Sequence, residues 1–271
     1  MWITSYKRFQ NFSVTKASET ELRPFVEIYD AIFASKDYDG EVARVLSLLR
    51  DSDQSNFRIL EIGSGTCSHS VSFVKQGVRV TAVDTDYDMT SKARSKLVNC
   101  SMISVHNGDL GETPLVKYDG ACALFYVVNY VRDRQDLRKL FKDVRGRLAV
   151  GGKFFFDCWN GVLSLIEEHP ASERDVTTPE GVEFSYKTEV VVDKLQQEAK
   201  IRYQFTKHSS QPNEHFNDFE ENIIIRLWTL RELEETLQES GFCLLNVSQI
   251  HPPFRPASIN DARIAICAMA E

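Results

Sequence analysis

The sequence predicts an α/β protein built on a mostly parallel sheet, and three observations support this fold class. Strand-like apolar runs alternate with helix-like segments between residues 57 and 157, and such alternation produces parallel strands joined by right-handed crossovers. The first run ends at Gly63-Ser64-Gly65, where two glycines suit a chain that passes directly from a strand into a helix. The next run, residues 79–84, ends in Asp84, 21 residues after Gly63.

The glycine turn and the acid together describe a pocket for a nucleoside-bearing cofactor. Glycines leave room for a cofactor against the backbone, and the first N–H groups of the following helix can bind an anion. A carboxylate at the end of the second strand, here Asp84, can accept hydrogen bonds from both ribose hydroxyls. A dinucleotide fingerprint would need Gly or Ala at position 68, where Ser68 stands. The turn instead has an acid, Glu61, two residues before its first glycine.

Composition excludes several classes of protein. With 271 residues, of which 42% are hydrophobic and 26% charged, the chain is long enough to bury a large core. We find no apolar run of the roughly 20 residues that a membrane helix needs and no secretory leader, which predicts a cytoplasmic protein without membrane contact. The net charge of −7 and the lack of a Lys/Arg cluster argue against a nucleic-acid partner and favour a small molecule.

Cysteines and histidines give no sign of a metal site. The six cysteines are scattered without a Cys-x-x-Cys pair, which indicates reduced, mostly buried thiols rather than a metal centre or a disulfide framework. The six histidines are not spaced as ligands together with acids. We therefore expect no metal.

The pattern of the chain changes three times and divides it into four segments. Helical periodicity spans residues 25–49, and between about 158 and 226 the period becomes two, which indicates antiparallel strands. Thr229 and Glu232 form a capping box that opens the last helix. The antiparallel strands are predicted at 184–192, 200–206 and 219–226. The predicted segments are an N-terminal helical lid (1–50), a cofactor-binding core (51–157), an inserted antiparallel cap (158–226) and the C-terminal part of the core (227–271).

Four matches in the expected order resemble the motifs of class I S-adenosylmethionine (SAM)-dependent methyltransferases. They lie at residues 61–65, 106–110, 118–126 and 148–157. This resemblance implies a Rossmann-like fold with a mostly parallel seven-stranded sheet. The resemblance can be made more specific from three features: a tyrosine-rich lid, a Gly-Ser-Gly-Thr-x-x-His turn and the inserted sheet. They are similar to those of bacterial N-methyltransferases that act on nucleotide-linked amino sugars, and of related small-molecule methyltransferases.

The resemblance implies SAM as the cofactor and S-adenosylhomocysteine as its product. In this family the acid that corresponds to Asp109 receives the adenine amino group, and a lid covers SAM. The cofactor-binding residues that the resemblance implies are Tyr29, Tyr38, Glu61, Gly63, Ser64, Gly65, Asp84, Thr85, Met89, Asp109, Leu110 and Phe125.

The acceptor is expected beside the fourth and fifth strands, because ligands of open α/β sheets bind beyond the carboxyl ends of the strands. Tyr126 and Tyr130 are the candidate catalytic residues, through a hydroxyl that positions the acceptor, and packing alone is an equal alternative. We expect Lys36 to be solvated and His69 to be an ordinary helix residue, either packed or exposed. The predicted acceptor-binding residues are Phe33, Asn129, Trp159 and Asn160.

The predicted function is transfer of a methyl group from SAM to a small-molecule acceptor. The acceptor group would be the amine or hydroxyl of a nucleotide-linked sugar or secondary metabolite, and the enzyme a homodimer. Two alternatives remain open at this stage, because one fold supports several functions. The first is an NAD(P)-dependent oxidoreductase, in which Asp84 would bind the ribose equally well. The second is a SAM-binding or structural subunit without catalytic activity.

Overall fold

A computed structural model describes residues 22–50, 56–208 and 217–271 of the chain. Residues 1–21 of the predicted lid therefore lie outside the described part. The strands, in chain order, are β1 (Arg58–Ile62), β2 (Arg79–Asp84), β3 (Ile103–Asn107), β4 (Tyr118–Ala123), β5 (Leu148–Trp159), β6 (Ser172–Thr177), β7 (Glu183–Asp193), β8 (Glu198–Lys207), β9 (Phe219–Arg226), β10 (Phe242–Ser248) and β11 (Arg263–Ala270). The helices are α1 (Pro24–Ile32), α2 (Tyr38–Leu49), α3 (Ser68–Lys75), α4 (Tyr87–Lys96), α5 (Val127–Tyr130), α6 (Arg134–Arg147), α7 (Gly161–Ile166) and α8 (Leu230–Gln238).

The central sheet confirms the predicted fold class. It has seven strands in the order β10-β11-β5-β4-β1-β2-β3. The five strands from β5 to β3 are parallel, and β11 pairs antiparallel with both β5 and β10. The carboxyl ends of β1, β2, β4 and β5 consequently meet at one edge of the sheet, where a ligand is expected.

Apolar periodicity explains how α6 packs on this sheet. Four side chains spaced three or four residues apart, Leu137, Leu140, Phe141 and Val144, are buried. The Phe141 ring lies 5.8 Å from that of Phe154 and 5.5 Å from that of Phe156. Each such fully buried side chain contributes about 1.5–3 kcal/mol of hydrophobic stabilisation, so the sheet is held rigidly behind the site.

The N-terminal helical segment is not one continuous helix. Residues 33–37 break it into α1 and α2, and Asp37 begins α2 because its carboxylate accepts a hydrogen bond of 2.8 Å from the Gly40 N–H. A short acidic side chain at this position satisfies an N–H group that the helix leaves without a partner. The break matters for the site because it turns Lys36 inward.

The inserted sheet has four strands, in the order β6-β7-β8-β9, where the sequence predicted three. Strand β6 was missed because its residues are almost all exposed and show no alternation of polar and apolar side chains. The inner face of the sheet, with Phe184, Tyr186 and Phe205, packs against Phe25 and Ile28 of α1. The lid helix and the insert therefore share one apolar cluster.

The C-terminal segment follows the sequence prediction. Thr229 and Glu232 form the predicted capping box at the start of α8, and Gly241 has a φ of +80° just beyond its end. All six cysteines are free, and four of them are buried. None of the helices in the described residues combines the length and the apolar character needed to cross a membrane.

Candidate active site

The glycine loop after β1 is shaped by two different spatial requirements. Gly63 has a φ of +64°, and a Cβ atom there would lie 2.4 Å from Val127 Cγ2, so the loop can approach α5 only without a side chain. Gly65 also has a positive φ, of +53°, but a Cβ there would meet nothing within 4 Å. The buried Ser64 hydroxyl between them has no hydrogen-bond partner among the described residues. The loop thus borders open space beside Gly65.

Asp84 stands against this loop, as predicted. Its Oδ2 accepts a hydrogen bond of 2.7 Å from the Gly65 N–H, and its Oδ1 accepts one of 2.8 Å from the Asp86 N–H. Burial raises the pKa of Asp84 to about 6. The carboxylate is therefore fixed at the end of β2 and only partly stabilised in its charged form, which suits a group that receives further donors from a ligand.

Glu61 adds a second buried carboxyl group at the end of β1. It accepts a hydrogen bond from the Ser70 hydroxyl, and burial, with the nearby charge of Asp84 as a smaller cause, raises its pKa to about 7. The described residues provide no ion pair for it. Two carboxyl groups beside an open glycine loop favour a ligand that carries positive charge, such as a sulfonium with an amino group, over an anionic pyrophosphate.

Helix α1 is fastened over the loop by polar contacts. Asp30 Oδ1 accepts a hydrogen bond of 2.5 Å from the Thr66 hydroxyl, and Lys96 lies 3.2 Å from Asp30 Oδ2. Arg23, at the start of α1, forms ion pairs with Asp86 and Asp88 at the start of α4. These contacts hold α1 against the glycine loop and α4 rather than against the central sheet.

A continuous series of aromatic rings leads from the lid to the end of β5. The ring centroids are 4.8 Å apart for Tyr29 and Phe33, 4.9 Å for Phe33 and Phe125, 5.0 Å for Phe125 and Tyr126, and 6.0 Å for Tyr126 and Trp159. The structure brings these five predicted site residues together. We call the series the aromatic wall, and it forms an apolar side for a ligand near the carboxyl ends of β4 and β5.

The turn after β4 has an unusual backbone. Phe125 and Tyr126 are consecutive non-glycine residues with φ angles of +69° and +68°, a conformation that costs roughly 1–2 kcal/mol for each residue. Asp157, fully buried at the end of β5, accepts hydrogen bonds of 2.7 Å from the Phe125 N–H and 3.3 Å from the Tyr126 N–H. Strained backbone of this kind persists where surrounding contacts hold it, often at functional sites.

Asp157 belongs to a buried network of charges that sequence reasoning missed. Arg263 donates from Nε to Asp157 over 2.7 Å and from Nη1 to Glu41 over 2.9 Å. Glu41 also pairs with Lys36 and lies 2.8 Å from His69 Nε2. Although burial by itself raises it, these partners hold the pKa of Glu41 well below its ordinary value.

Lys36 differs from its expected solvated environment, whereas His69 is a packed helix residue, one of the two environments expected for it. The Lys36 side chain is only 11% exposed and its Nζ lies 5.0 Å from the centroid of the Phe125 ring. Burial lowers the pKa of both Lys36 and His69, so His69 is neutral near pH 7. Lys36 lies between α1 and α2, five residues before Glu41, with which it pairs. This spacing was the local signal that could have indicated its position.

Two predicted acceptor-binding residues, Asn129 and Asn160, form hydrogen bonds within the protein. Asn129 is fully buried, donates to the Arg226 carbonyl over 2.7 Å and accepts from the Trp159 N–H over 3.0 Å. Asn160 begins α7 and donates to the Ile259 carbonyl over 3.1 Å. Their amide groups thus already have partners, and a contact of either residue with an acceptor stays a prediction.

The remaining predicted residues lie at the margins of the site. Asp109 accepts a hydrogen bond of 2.6 Å from the Gly111 N–H, and its contact with adenine stays a prediction. Leu110 is buried in the main core, Met89 packs on the cluster of α1, and Thr85 is exposed at the end of β2. The rings of Tyr38 and His69 are 4.8 Å apart. Tyr130 is 38% exposed at the far end of α5.

Comparison with known proteins agrees with this geometry. A family model described as a methyltransferase domain matches residues 59–152. Residues 59–152 of this chain are therefore similar to a methyltransferase domain. The match includes β1, the glycine loop, Asp84 and the turn after β4, which are the parts of the molecule that form the site.

Relatives of this chain include amino-sugar enzymes. It is 24% identical over 136 residues to a dTDP-3-amino-3,4,6-trideoxy-α-D-glucopyranose N,N-dimethyltransferase of Streptomyces venezuelae, and the match spans 49% of this chain and 56% of that protein. Among solved structures, the sugar N-methyltransferase KedS8 from Streptoalloteichus superposes with a TM-score of 0.75 at 16% identity, covering 96% of this chain and 98% of that one.

A further structure is similar over most of its length. A SAM-dependent methyltransferase from Clostridium acetobutylicum gives a TM-score of 0.72 at 19% identity, covering 91% of this chain and 97% of that one. At these identities the structural likeness establishes the fold. The comparisons give no support to the oxidoreductase alternative.

The open space at Gly65 predicts a selective loss of cofactor binding. Gly65→Leu should weaken the binding of S-adenosylhomocysteine at least tenfold in titration calorimetry, or about 1.4 kcal/mol, because the side chain would enter the ligand space. Gly77→Leu is the matched control, since Gly77 also has a positive φ (+74°) and nothing within 4 Å of a Cβ. Both variants should lose roughly 1–2 kcal/mol of unfolding free energy. Equal affinity in the two variants would refute the assignment.

The raised pKa of Asp84 predicts that cofactor affinity depends on pH. Hydroxyl donors bind the ionised carboxylate best, so affinity should be lost as the pH falls through about 6. Below that pH we expect the dissociation constant of S-adenosylhomocysteine to rise by up to about tenfold per pH unit. In calorimetry, Asp84→Asn should bind S-adenosylhomocysteine weakly, with an affinity that depends less on pH than that of the wild type. Wild-type affinity that is constant between about pH 5 and pH 7.5 would contradict the contact.

Proposed function

We propose that this protein transfers a methyl group from SAM to the amine of a small-molecule acceptor, with nucleotide-linked amino sugars as the first candidates. The observation that carries the proposal is the open glycine loop flanked by Asp84 and Glu61, with the aromatic wall directly beside it. The glycine loop and its two carboxyl groups suit a cationic nucleoside. The aromatic wall suits an acceptor with an apolar face. The relatives that are named as sugar N-methyltransferases support the acceptor class.

The residues of the loop and the strand ends would bind the cofactor. Asp84 would accept the ribose hydroxyls, and Glu61 and the free Ser64 hydroxyl would face its amino acid portion. SAM supplies a methyl group on a sulfonium, which already has a good leaving group. The protein therefore has to align the acceptor and exclude water, and positioning of this kind can contribute roughly 7–11 kcal/mol.

Proton chemistry at the aromatic wall favours an amine over a hydroxyl. A hydroxyl acceptor must lose its proton during attack, which calls for a general base, whereas an amine that arrives neutral does not. His69 has its Nε2 turned to Glu41. Burial raises the pKa of Tyr126, although the adjacent Arg263 opposes the change, so its phenol stays protonated. The Tyr126 phenol is therefore not suited to removing a proton from an alcohol.

Tyr126 is a better candidate than Tyr130 for the residue that positions the acceptor. Its ring lies within the aromatic wall and 4.7 Å from the guanidinium of Arg263. The Nη2 atom of Arg263 is buried without a hydrogen-bond partner in the described residues. We infer that the Tyr126 hydroxyl and this free donor contact polar groups of the acceptor, while Tyr130 contributes to the outer rim.

A transfer assay with labelled SAM tests the function. We expect methylation of dTDP-3-amino-3,4,6-trideoxyglucose, the amine named for the Streptomyces relative, and at most a hundredth of that rate with the corresponding 3-hydroxy sugar. Tyr126→Phe should slow transfer more than Tyr130→Phe, and EDTA should have no effect. Equal transfer to the hydroxy sugar would overturn the amine assignment. Thermal protection by NAD without protection by SAM would overturn the methyltransferase.

We also propose that the enzyme is a cytoplasmic homodimer that associates through the inserted sheet. Val191 and Leu195, on the hairpin between β7 and β8, are 69% and 94% exposed, and apolar side chains at an accessible edge favour association. Light scattering should give about twice the chain mass of 31.0 kDa, whereas the mass of a single chain would contradict the dimer. Cell fractionation checks the location.

A further inference from the structure

The turn formed by Phe125 and Tyr126 is the place where the lid and the central sheet meet. The Phe125 ring contacts Phe33 of the lid, while the Tyr126 ring contacts Trp159 at the end of β5. Both rings belong to the aromatic wall, so a small rotation of this turn would displace the surface on which an acceptor rests. Displacements of about 1 Å are enough to slow an aligned reaction about a hundredfold.

The position of the turn depends on a chain of three buried charged groups. Asp157 accepts hydrogen bonds from both N–H groups of the turn. Arg263 in turn donates hydrogen bonds to Asp157 and to Glu41. The side chains of Asp157 and Glu41 are fully buried and that of Arg263 is 14% exposed. A hydrogen bond to a charged partner is shorter and stronger than a neutral one. Asp157 can therefore fix the position of the turn as long as Arg263 compensates its buried charge.

Glu41 is connected to the other side of the turn as well. It pairs with Lys36, whose Nζ lies 5.0 Å from the centroid of the Phe125 ring and 4.9 Å from that of Tyr38. It also pairs with His69, which follows the glycine loop. One carboxylate on α2 thus contacts Lys36, the start of α3 and, through Arg263 and Asp157, the backbone of the turn after β4.

We propose that Glu41 is a positioning residue for methyl transfer, which acts through Arg263 and Asp157 to hold the Phe125–Tyr126 turn in line with the bound cofactor. The inference rests on the proposed function for its catalytic consequence, but its structural step is independent of it. Glu41 is fully buried and contacts neither the glycine loop backbone nor Asp84. Its removal should therefore affect alignment of the acceptor and leave the cofactor site intact.

Glu41→Gln tests the proposal because it keeps the shape of the side chain and removes its charge. With the dTDP-amino sugar as acceptor, we expect kcat to fall at least tenfold, while the dissociation constant of S-adenosylhomocysteine changes less than threefold. Asp39→Asn is the matched control, since Asp39 lies on the same helix and contacts Lys75 and Ser72 rather than Arg263. This control should keep the wild-type values. A residue with a merely structural role would weaken cofactor binding together with turnover.

Amide hydrogen exchange measures the structural step without an acceptor. In the complex with S-adenosylhomocysteine, a peptide covering residues 124–131 should exchange at least tenfold faster in Glu41→Gln than in the wild type or in Asp39→Asn. Exchange in β1 should be the same in all three proteins. Equal exchange of the 124–131 peptide in wild type and Glu41→Gln would overturn the proposal.

Arg263→Lys provides a second variant if Glu41→Gln does not fold. A single ammonium cannot bridge two carboxylates as the planar guanidinium does, so faster exchange of the same peptide is expected, and unchanged exchange would again overturn the proposal. Failure of the positioning role can be distinguished from failure of the proposed function. Absence of methyl transfer in the wild type would refute the function, whereas normal turnover and exchange in Glu41→Gln would refute only the positioning role.

Discussion

The site depends on the pairing of two buried carboxylates around one guanidinium. Glu41 and Asp157 are both inaccessible to solvent, and each is held by Arg263. Buried carboxylates are costly unless they are paired, and removal of one partner from a buried pair destabilises a protein by about 3–5 kcal/mol because the remaining charge is uncompensated. Helix α2, strand β5 and strand β11 are therefore fixed relative to one another at the edge where the ligands bind, which is a tighter constraint than apolar packing alone would give.

The same pairing explains how the chain tolerates an unfavourable turn. Two consecutive left-handed residues cost roughly 1–2 kcal/mol each, whereas a hydrogen bond to a charged group contributes about 1.5–3 kcal/mol. Asp157 accepts two such bonds, from Phe125 and Tyr126, so the gain is of the size needed to offset the strain. A neutral group, or one that was not held in place, would form weaker hydrogen bonds and would not offset this backbone strain. The charge of Asp157 is thus what allows the aromatic side chains of this turn to point where they do.

The sequence could predict those parts of the molecule whose signal is local. Gly63, Gly65 and Asp84 are recognisable because a strand, a turn and a second strand follow one another within 27 residues, and the seven-stranded sheet follows from the same alternation. The charge network could not be found in this way, because Arg263 lies 222 residues from Glu41 and 106 from Asp157. An acid directly after three phenylalanines in a buried strand was its only local signal. The hydrogen bonds of Asn129 and Asn160 could not be foreseen for a related reason: position at a strand end does not reveal which backbone groups an amide will bind.

The way in which α1 is attached indicates how ligands could reach the site. Its apolar face packs with Phe184 and Phe205 of the inserted sheet, while its contacts with the cofactor side are partly exposed ion pairs such as that of Arg23 with Asp88. Exposed pairs contribute at most about 1 kcal/mol each, but the shared apolar cluster is worth several times more. Apolar contacts of α1 with Met89 of α4, and of Phe33 with Phe125, add to these ion pairs. A ligand that enters between α1 and the glycine loop must therefore displace both kinds of contact.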